Sequence, residues 1–164
     1  MRDALNVLIV TVGGLGLIRR APGTWGSVPP AALALAFMLS RAPTRATLAA
    51  LVVVGVLTSA LCVRLTPWAE RRFGRADPRQ IVLDEVAGQA LALIPVALMA
   101  PASVGATVAG VLAAFALFRI FDIAKFGLID TAQRLPRGLG VLMDDLVAGA
   151  AAGGLVWVGW KVIG

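Results

Sequence analysis

The chain has 164 residues, 59% of them hydrophobic and only 15% charged, against about 45–50% apolar and about 25% charged in a soluble domain. That excludes a disordered chain and points to a single-domain integral membrane protein, residues 1–164, built from several helices. Fifteen Lys and Arg against nine Asp and Glu give a net charge of +6; because the basic residues sit between apolar runs, they indicate topology and membrane lipid headgroups as partners, and no nucleic acid.

Ala4 to Ile18 is apolar but short: about 22 Å of helix, less than the roughly 30 Å hydrocarbon core. It suits a tilted, half-inserted or interfacial segment. Arg2 resembles the basic start of a signal peptide, but Arg19-Arg20-Ala21-Pro22 follows instead of a small-residue cleavage site, so the segment is read as retained. Arg19 to Ser27 reads as a polar loop with Ser27 as N-cap, and Val28 to Leu39 as a short apolar helix opened by Pro29-Pro30. Leu48 to Leu65 is a spanning helix, and Pro67 to Gln80 a connection carrying Arg71, Arg72, Arg75 and Arg79. Ile81 to Met99 is apolar but opens with an acid pair. Pro101-Ala102-Ser103 is an uncharged turn before the span Val104 to Lys125. Gly127 to Gly140 is a polar connection, and Val141 to Ile163 closes the chain with Trp157 and Trp160 as interfacial anchors.

Strands are excluded, since an open sheet edge has no partners in lipid and the apolar runs do not alternate as a barrel requires. The expected fold is all-α: a polytopic membrane helical bundle of about five spanning helices plus a short N-terminal helix. Placing the arginine-rich loops 19–27, 67–80 and 125–140 in the cytoplasm starts the spans at Val28 and leaves Arg41 and Arg45 outside. Thr24, Ser27, Asp84, Glu85, Arg119, Asp122, Lys125, Asp144 and Asp145 then fall at the cytoplasmic ends of helices, on one plane.

Charges inside apolar helices are costly, at roughly 2.5–3.5 kcal/mol near a helix centre, and mark function by default. Asp84-Glu85 and Asp144-Asp145 share a design: a Gly- or Pro-containing loop, then an acid pair in the first turns of an apolar helix, with Gly88 four residues after Asp84 and Gly149 four after Asp145. Residues so spaced share a face, and a glycine there permits close helix approach. Acids that merely offset a helix dipole, for about 0.3–1 kcal/mol each, would explain one such residue better than two adjacent pairs. Arg119, Asp122 and Lys125 recur every three residues along one face; they form either an interfacial ion-pair ladder or a phosphate grip with Asp122 turned to a metal. Ala21-Pro-Gly-Thr-Trp-Gly-Ser27 is a compact loop that either caps a helix or offers backbone N–H groups to an anion. With no His and one Cys, mid-segment Cys62, every His-dependent mechanism and any Cys/His metal site are absent. Five carboxylates favour a hard, oxygen-loving cation, and Mg²⁺ fits best.

Taken together the motifs resemble the phosphatidylglycerophosphatase A family of membrane lipid phosphatases. The matching stretches are Ala21 to Ser27, then Asp77-Pro78 leading to Ile81-Val-Leu-Asp-Glu-Val-Ala-Gly88. Phe118-Arg-Ile-Phe-Asp-Ile-Ala-Lys125 and Gly138-Leu-Gly-Val-Leu-Met-Asp-Asp-Leu-Val-Ala-Gly149 follow in the family's order. The resemblance implies Mg²⁺-dependent hydrolysis of phosphatidylglycerophosphate to phosphatidylglycerol at a bacterial inner membrane, with the active site facing the cytoplasm. It places catalytic and metal roles on Asp84, Glu85, Asp122, Asp144 and Asp145. Thr24, Ser27, Arg119 and Lys125 are the expected phosphate-binding residues. One stretch departs from the family: Phe126-Gly127-Leu128-Ile129 stands where the family reads Pro-Trp-Pro-Ile. Whether water or an aspartate attacks, and the oligomeric state, are left open by the sequence. The rival reading is a small cation or proton transporter; it needs polar groups at successive depths, and these acids sit at one.

Overall fold

The computed structural model describes residues 2–124 and 138–163. They form six α-helices and no strand: α1 Arg2–Val10, α2 Pro22–Leu39, α3 Thr44–Phe73, α4 Leu83–Met99, α5 Val104–Ala124 and α6 Gly138–Ile163, with a 3₁₀ turn at Leu15–Leu17. The all-α expectation holds. Three stretches, Thr44–Phe73, Val104–Ala124 and Leu139–Val162, are long and apolar enough to cross a membrane. α2 and α4 do not reach that mark, so the count of about five is not established by length and composition.

α4 is the hub. It packs against α2, α3, α5 and α6, and Leu83, Val86, Ala87, Ala90, Leu93, Val96 and Ala97 are all buried. A 17-residue helix is about 25 Å long; enclosed by protein, it has little need to match the bilayer itself. The outer helices turn large apolar side chains outward, including Val53, Val56 and Leu57 of α3, Leu112 and Ile123 of α5, and Leu155 and Val158 of α6. In water such a surface would aggregate; in lipid it is the solvated face.

Several boundaries differ from the sequence reading. α2 starts at Pro22, not Val28, with Pro22 in the first helical turn and Ala21 as N-cap in the left-handed region at φ 49°. The helix therefore runs through Pro29 and Pro30, whose missing N–H groups leave the carbonyls of Trp25 and Gly26 without their helical donors. Ser27 is not an N-cap: it lies inside α2, and its buried hydroxyl donates to the Gly23 carbonyl at 2.9 Å. α3 likewise continues through Pro67 to Phe73 and stops at Gly74, which takes the left-handed φ of 72° that ends many helices. The region expected to be a charged connection is thus half helix.

α1 has nine residues, about 14 Å of helix, and does not span. It packs against α3, where Trp68 Nε1 donates to Asp3 Oδ1 at 3.2 Å, and the Val82 N–H donates to the Val10 carbonyl at 3.0 Å. α1 therefore braces the entry into α4. At the other end, Ala100 leaves α4 in the left-handed region, and Ser103 Oγ accepts the Ala106 N–H at 3.1 Å to cap α5. The uncharged turn is where the sequence placed it.

Candidate active site

The starts of α2, α4 and α6 and the end of α5 meet around a cavity of about 270 Å³, lined by Gly23, Asp77, Arg79, Asp84, Glu85, Arg119, Asp122, Asp144 and Asp145 among others. All five expected acids reach it, from three helices: Asp84 and Glu85 on α4, Asp122 on α5, Asp144 and Asp145 on α6. Asp84, Asp144 and Asp145 are buried at 6%, 3% and 3% exposure, although each lies near a helix end where water would otherwise be close.

Three of the five converge most tightly. One oxygen each from Asp84, Glu85 and Asp145 lies within 4.8 Å of the others. The two acid pairs reach this arrangement by the same local device. Asp84 Oδ1 accepts the Glu85 N–H at 3.1 Å, and Asp144 Oδ1 accepts the Asp145 N–H at 3.1 Å. The first acid of each pair is thereby pinned to its own helix. Glu85 Oε2 and Asp145 Oδ2 are buried and find no hydrogen-bond partner among the described residues. Several like charges this close and this dry repel strongly unless a cation sits among them. Carboxylate oxygens with unused lone pairs, and no nitrogen or sulfur donor, are the ligand set of a hard divalent ion. The residues present fit a metal on that ground.

Two glycines set the spacing. A Cβ on Gly149 would run into the Gly88 carbonyl and come within 3.1 Å of its Cα, and one on Gly88 would meet the Asp145 carbonyl at 2.6 Å and the Phe118 ring at 2.6 Å. α4 and α6 thus cross backbone to backbone one turn below the acids, the approach that small residues permit in a membrane bundle. Gly23 does the same for α2: a Cβ there would collide with the Glu85 carboxylate and lie 3.0 Å from Arg119 Nη1.

Arg119 faces the acids from α5. Its Nη1 is 2.6 Å from Asp122 Oδ2, close enough for an ion pair but misaligned for a hydrogen bond, and neither Nη1 nor Nε has a hydrogen-bond partner among the described residues. A guanidinium so held keeps donors for an anion. Thr24 and Ser27, expected at the phosphate, do not line the cavity; the α2 residues that do are Pro22 and Gly23, because the helix starts earlier than the loop reading assumed. Lys125 and the atypical 126–129 stretch lie outside the described residues. The sequence reading missed Arg79 and Asp77, both on the cavity wall. Their signal was present in Asp77-Pro78: Pro78 is buried and Asp77 takes a left-handed φ of 48°, turning the chain back onto the site.

A family model described as phosphatidylglycerophosphatase A matches residues 8–160. A Haemophilus influenzae protein named phosphatidylglycerophosphatase A is 34% identical over 142 residues, covering 85% of this chain and 80% of that protein. A Bacteroides thetaiotaomicron protein with the provisional name phosphatidylinositol-3-phosphatase is 35% identical over 165 residues, covering 98% of this chain and 96% of that one. No solved structure gives a significant match.

Proposed function

Because the chain belongs to the phosphatidylglycerophosphatase A family, we propose that it is a membrane phospholipid phosphatase that hydrolyses the terminal phosphate of phosphatidylglycerophosphate, releasing phosphatidylglycerol and inorganic phosphate. The observation that carries the reading is the convergence of Asp84, Glu85 and Asp145 within 4.8 Å in a cavity that Arg119 also lines. A transporter would need charged groups at several depths; beneath this cluster lie Gly88, Phe118 and Gly149 and one uncharged polar side chain, the buried Gln89.

Asp84, Glu85 and Asp145 would hold Mg²⁺, with Asp122 and Asp144 beside them on the same wall. Bound there, Mg²⁺ would draw charge from the phosphoryl oxygens. Arg119, oriented by Asp122, donates to the transferring phosphoryl group, where a fixed donor is worth more than in water. The exposed Arg79 at the cavity wall attracts the anionic headgroup. A carboxylate of the cluster takes the proton of a water that attacks phosphorus, the bond to the glycerol oxygen breaks and that oxygen receives the proton; the alternative is attack by a carboxylate itself, with water then hydrolysing the acyl phosphate. Lys125 is assigned to the phosphate by its place in the family motif. The acyl chains stay in the bilayer, so only the headgroup enters.

We read α2 to α6 as five alternating crossings, since the site gathers the starts of α2, α4 and α6 with the end of α5. The arginine-rich stretches 19–27 and 67–80 lie at that end, which supports a cytoplasmic-facing site in a bacterial inner membrane.

The test is phosphate release by purified protein in mixed micelles, with phosphatidylglycerophosphate and phosphatidylinositol 3-phosphate as alternative substrates. Release from the first, lost with chelator and restored by Mg²⁺, is expected. Release from the second alone would reassign the headgroup. Full turnover after metal stripping would remove the metal from the mechanism.

A further inference from the structure

A second polar cavity, of about 280 Å³, lies at the opposite end of the bundle, between the turn that joins α2 to α3 and the turn that joins α4 to α5. Ala97 and Ala100 on its wall are about 20 Å along α4 from Asp84. Trp157, Trp160 and Lys161 belong to the same end, with the Lys161 ammonium over the Trp157 ring at 5.3 Å; such residues mark a membrane boundary.

The cavity is cationic and rich in donors. Arg41 lines it, no acidic residue does, and Arg41 has no ion pair among the described residues. Thr44 and Thr47 also line it. They stand in the first turn of α3, whose N-cap, Pro43, offers no side-chain cap; the Ala46 and Thr47 N–H groups donate to the Pro43 carbonyl, which leaves those of Thr44 and Arg45 open to an anion. Thr47 supplies an independent sign. Thr11, Thr58, Thr66 and Thr107 each return their hydroxyl to a backbone carbonyl of the preceding turn. Thr47 is 2% exposed and borders the cavity; among the described residues its hydroxyl returns no such bond, and it is not one of the fully enclosed unpartnered atoms, so it is open to the cavity.

We propose that this cavity binds the phosphate of an anionic phospholipid in the leaflet opposite the acid site. Arg41 supplies the planar fork that suits a phosphodiester, and Thr47 and the start of α3 supply neutral donors. Free phosphate shares this chemistry, but Met38 on the wall and the position at the membrane boundary favour a tethered headgroup with its tails in the bilayer. The site accounts for Arg41 on the side of the membrane that the positive-inside rule disfavours. The inference does not depend on the catalytic reading.

The experiment uses the full-length protein in phosphatidylcholine nanodiscs, with and without phosphatidylglycerol. Retained lipid is counted by native mass spectrometry and stability is read as Tm. The wild type should retain phosphatidylglycerol selectively and gain Tm with it, as any ligand of the folded state produces. Arg41→Asn, chosen because Asn tolerates the left-handed φ of 57° found there, and Thr47→Val should each weaken that binding roughly tenfold or more, about 1.4 kcal/mol, with hydrolysis unchanged. Arg79→Gln, at the acid site, should keep the effect, separating this cavity from product binding. A wild type that retains phosphatidylglycerol no better than phosphatidylcholine overturns the proposal without any variant. So does unchanged retention in the two far-end variants. An equal Tm gain from inorganic phosphate alone would assign the cavity to a free anion and overturn the lipid.

Discussion

Gly88 of α4 and Gly149 of α6 meet backbone to backbone, so closely that a Cβ on Gly149 would lie 2.9 Å from the Gly88 carbonyl carbon. Each belongs to the motif that carries an acid pair, and their contact sets how far Asp145 stands from Asp84 and Glu85. Packing and chemistry are therefore coupled at one crossing.

Gly149→Ala should destabilise the protein by about 1–3 kcal/mol, the usual range for forcing an extra carbon into a filled site, since the group it meets is backbone and cannot rotate away. Activity should fall with it as the acids separate. Gly154→Ala is the control: nothing lies within 4 Å of its Cβ position, and a helical Gly→Ala change there should be neutral or stabilising by up to about 1 kcal/mol. Thermal unfolding in detergent measures both; equal stability of the two variants would refute the crossing.

Gly23→Ala should behave differently. Its Cβ would meet the ends of the Glu85 and Arg119 side chains, which can swing aside. Tm should change little, while kcat drops at least tenfold, about 1.4 kcal/mol, because the displaced groups are those that face the phosphate. A variant with wild-type kcat would show that neither side chain needs its present position.

Asp84→Asn, Glu85→Gln and Asp145→Asn should each lower kcat/KM by about a thousandfold, or roughly 4 kcal/mol. Asp122→Asn and Asp144→Asn should also be impaired, by less if they act from beside the cluster. Without metal, each of the first three should raise Tm, since one of several repelling buried charges is gone. Glu70→Gln, away from the cavity, should leave turnover intact. Retention of more than about a tenth of the activity by most of the five would end the site assignment.

In a Cys62→Ser background, Arg75→Cys should be shielded from a membrane-impermeant thiol reagent in intact cells, and Ser103→Cys should react. Both positions are exposed, at opposite ends of the bundle. Reaction at residue 75 from outside would invert the orientation and move the active site to the other face.

Much was legible before any coordinates. Helical class, the uncharged turn at 101–103, and acid pairs early in apolar helices follow from local composition and period, which act over a few residues. Glycine four residues after Asp84 and Asp145 signalled a close crossing because residues so spaced share a face. The helix boundaries around proline were not legible. Pro29-Pro30 reads as a start and Pro67 as an end by local preference, yet packing against α4 carries α2 and α3 through all three. Nor did the sequence say which acids meet. Spacing along one helix orders groups on its face, but Asp145 joins Asp84 and Glu85 only because α4 and α6 touch at Gly88 and Gly149, and Ser27 turns away from the cavity because α2 begins a turn and a half earlier than its composition suggests. Such distances depend on how helices rotate against one another, and that is decided by the summed contacts of residues far apart in the chain.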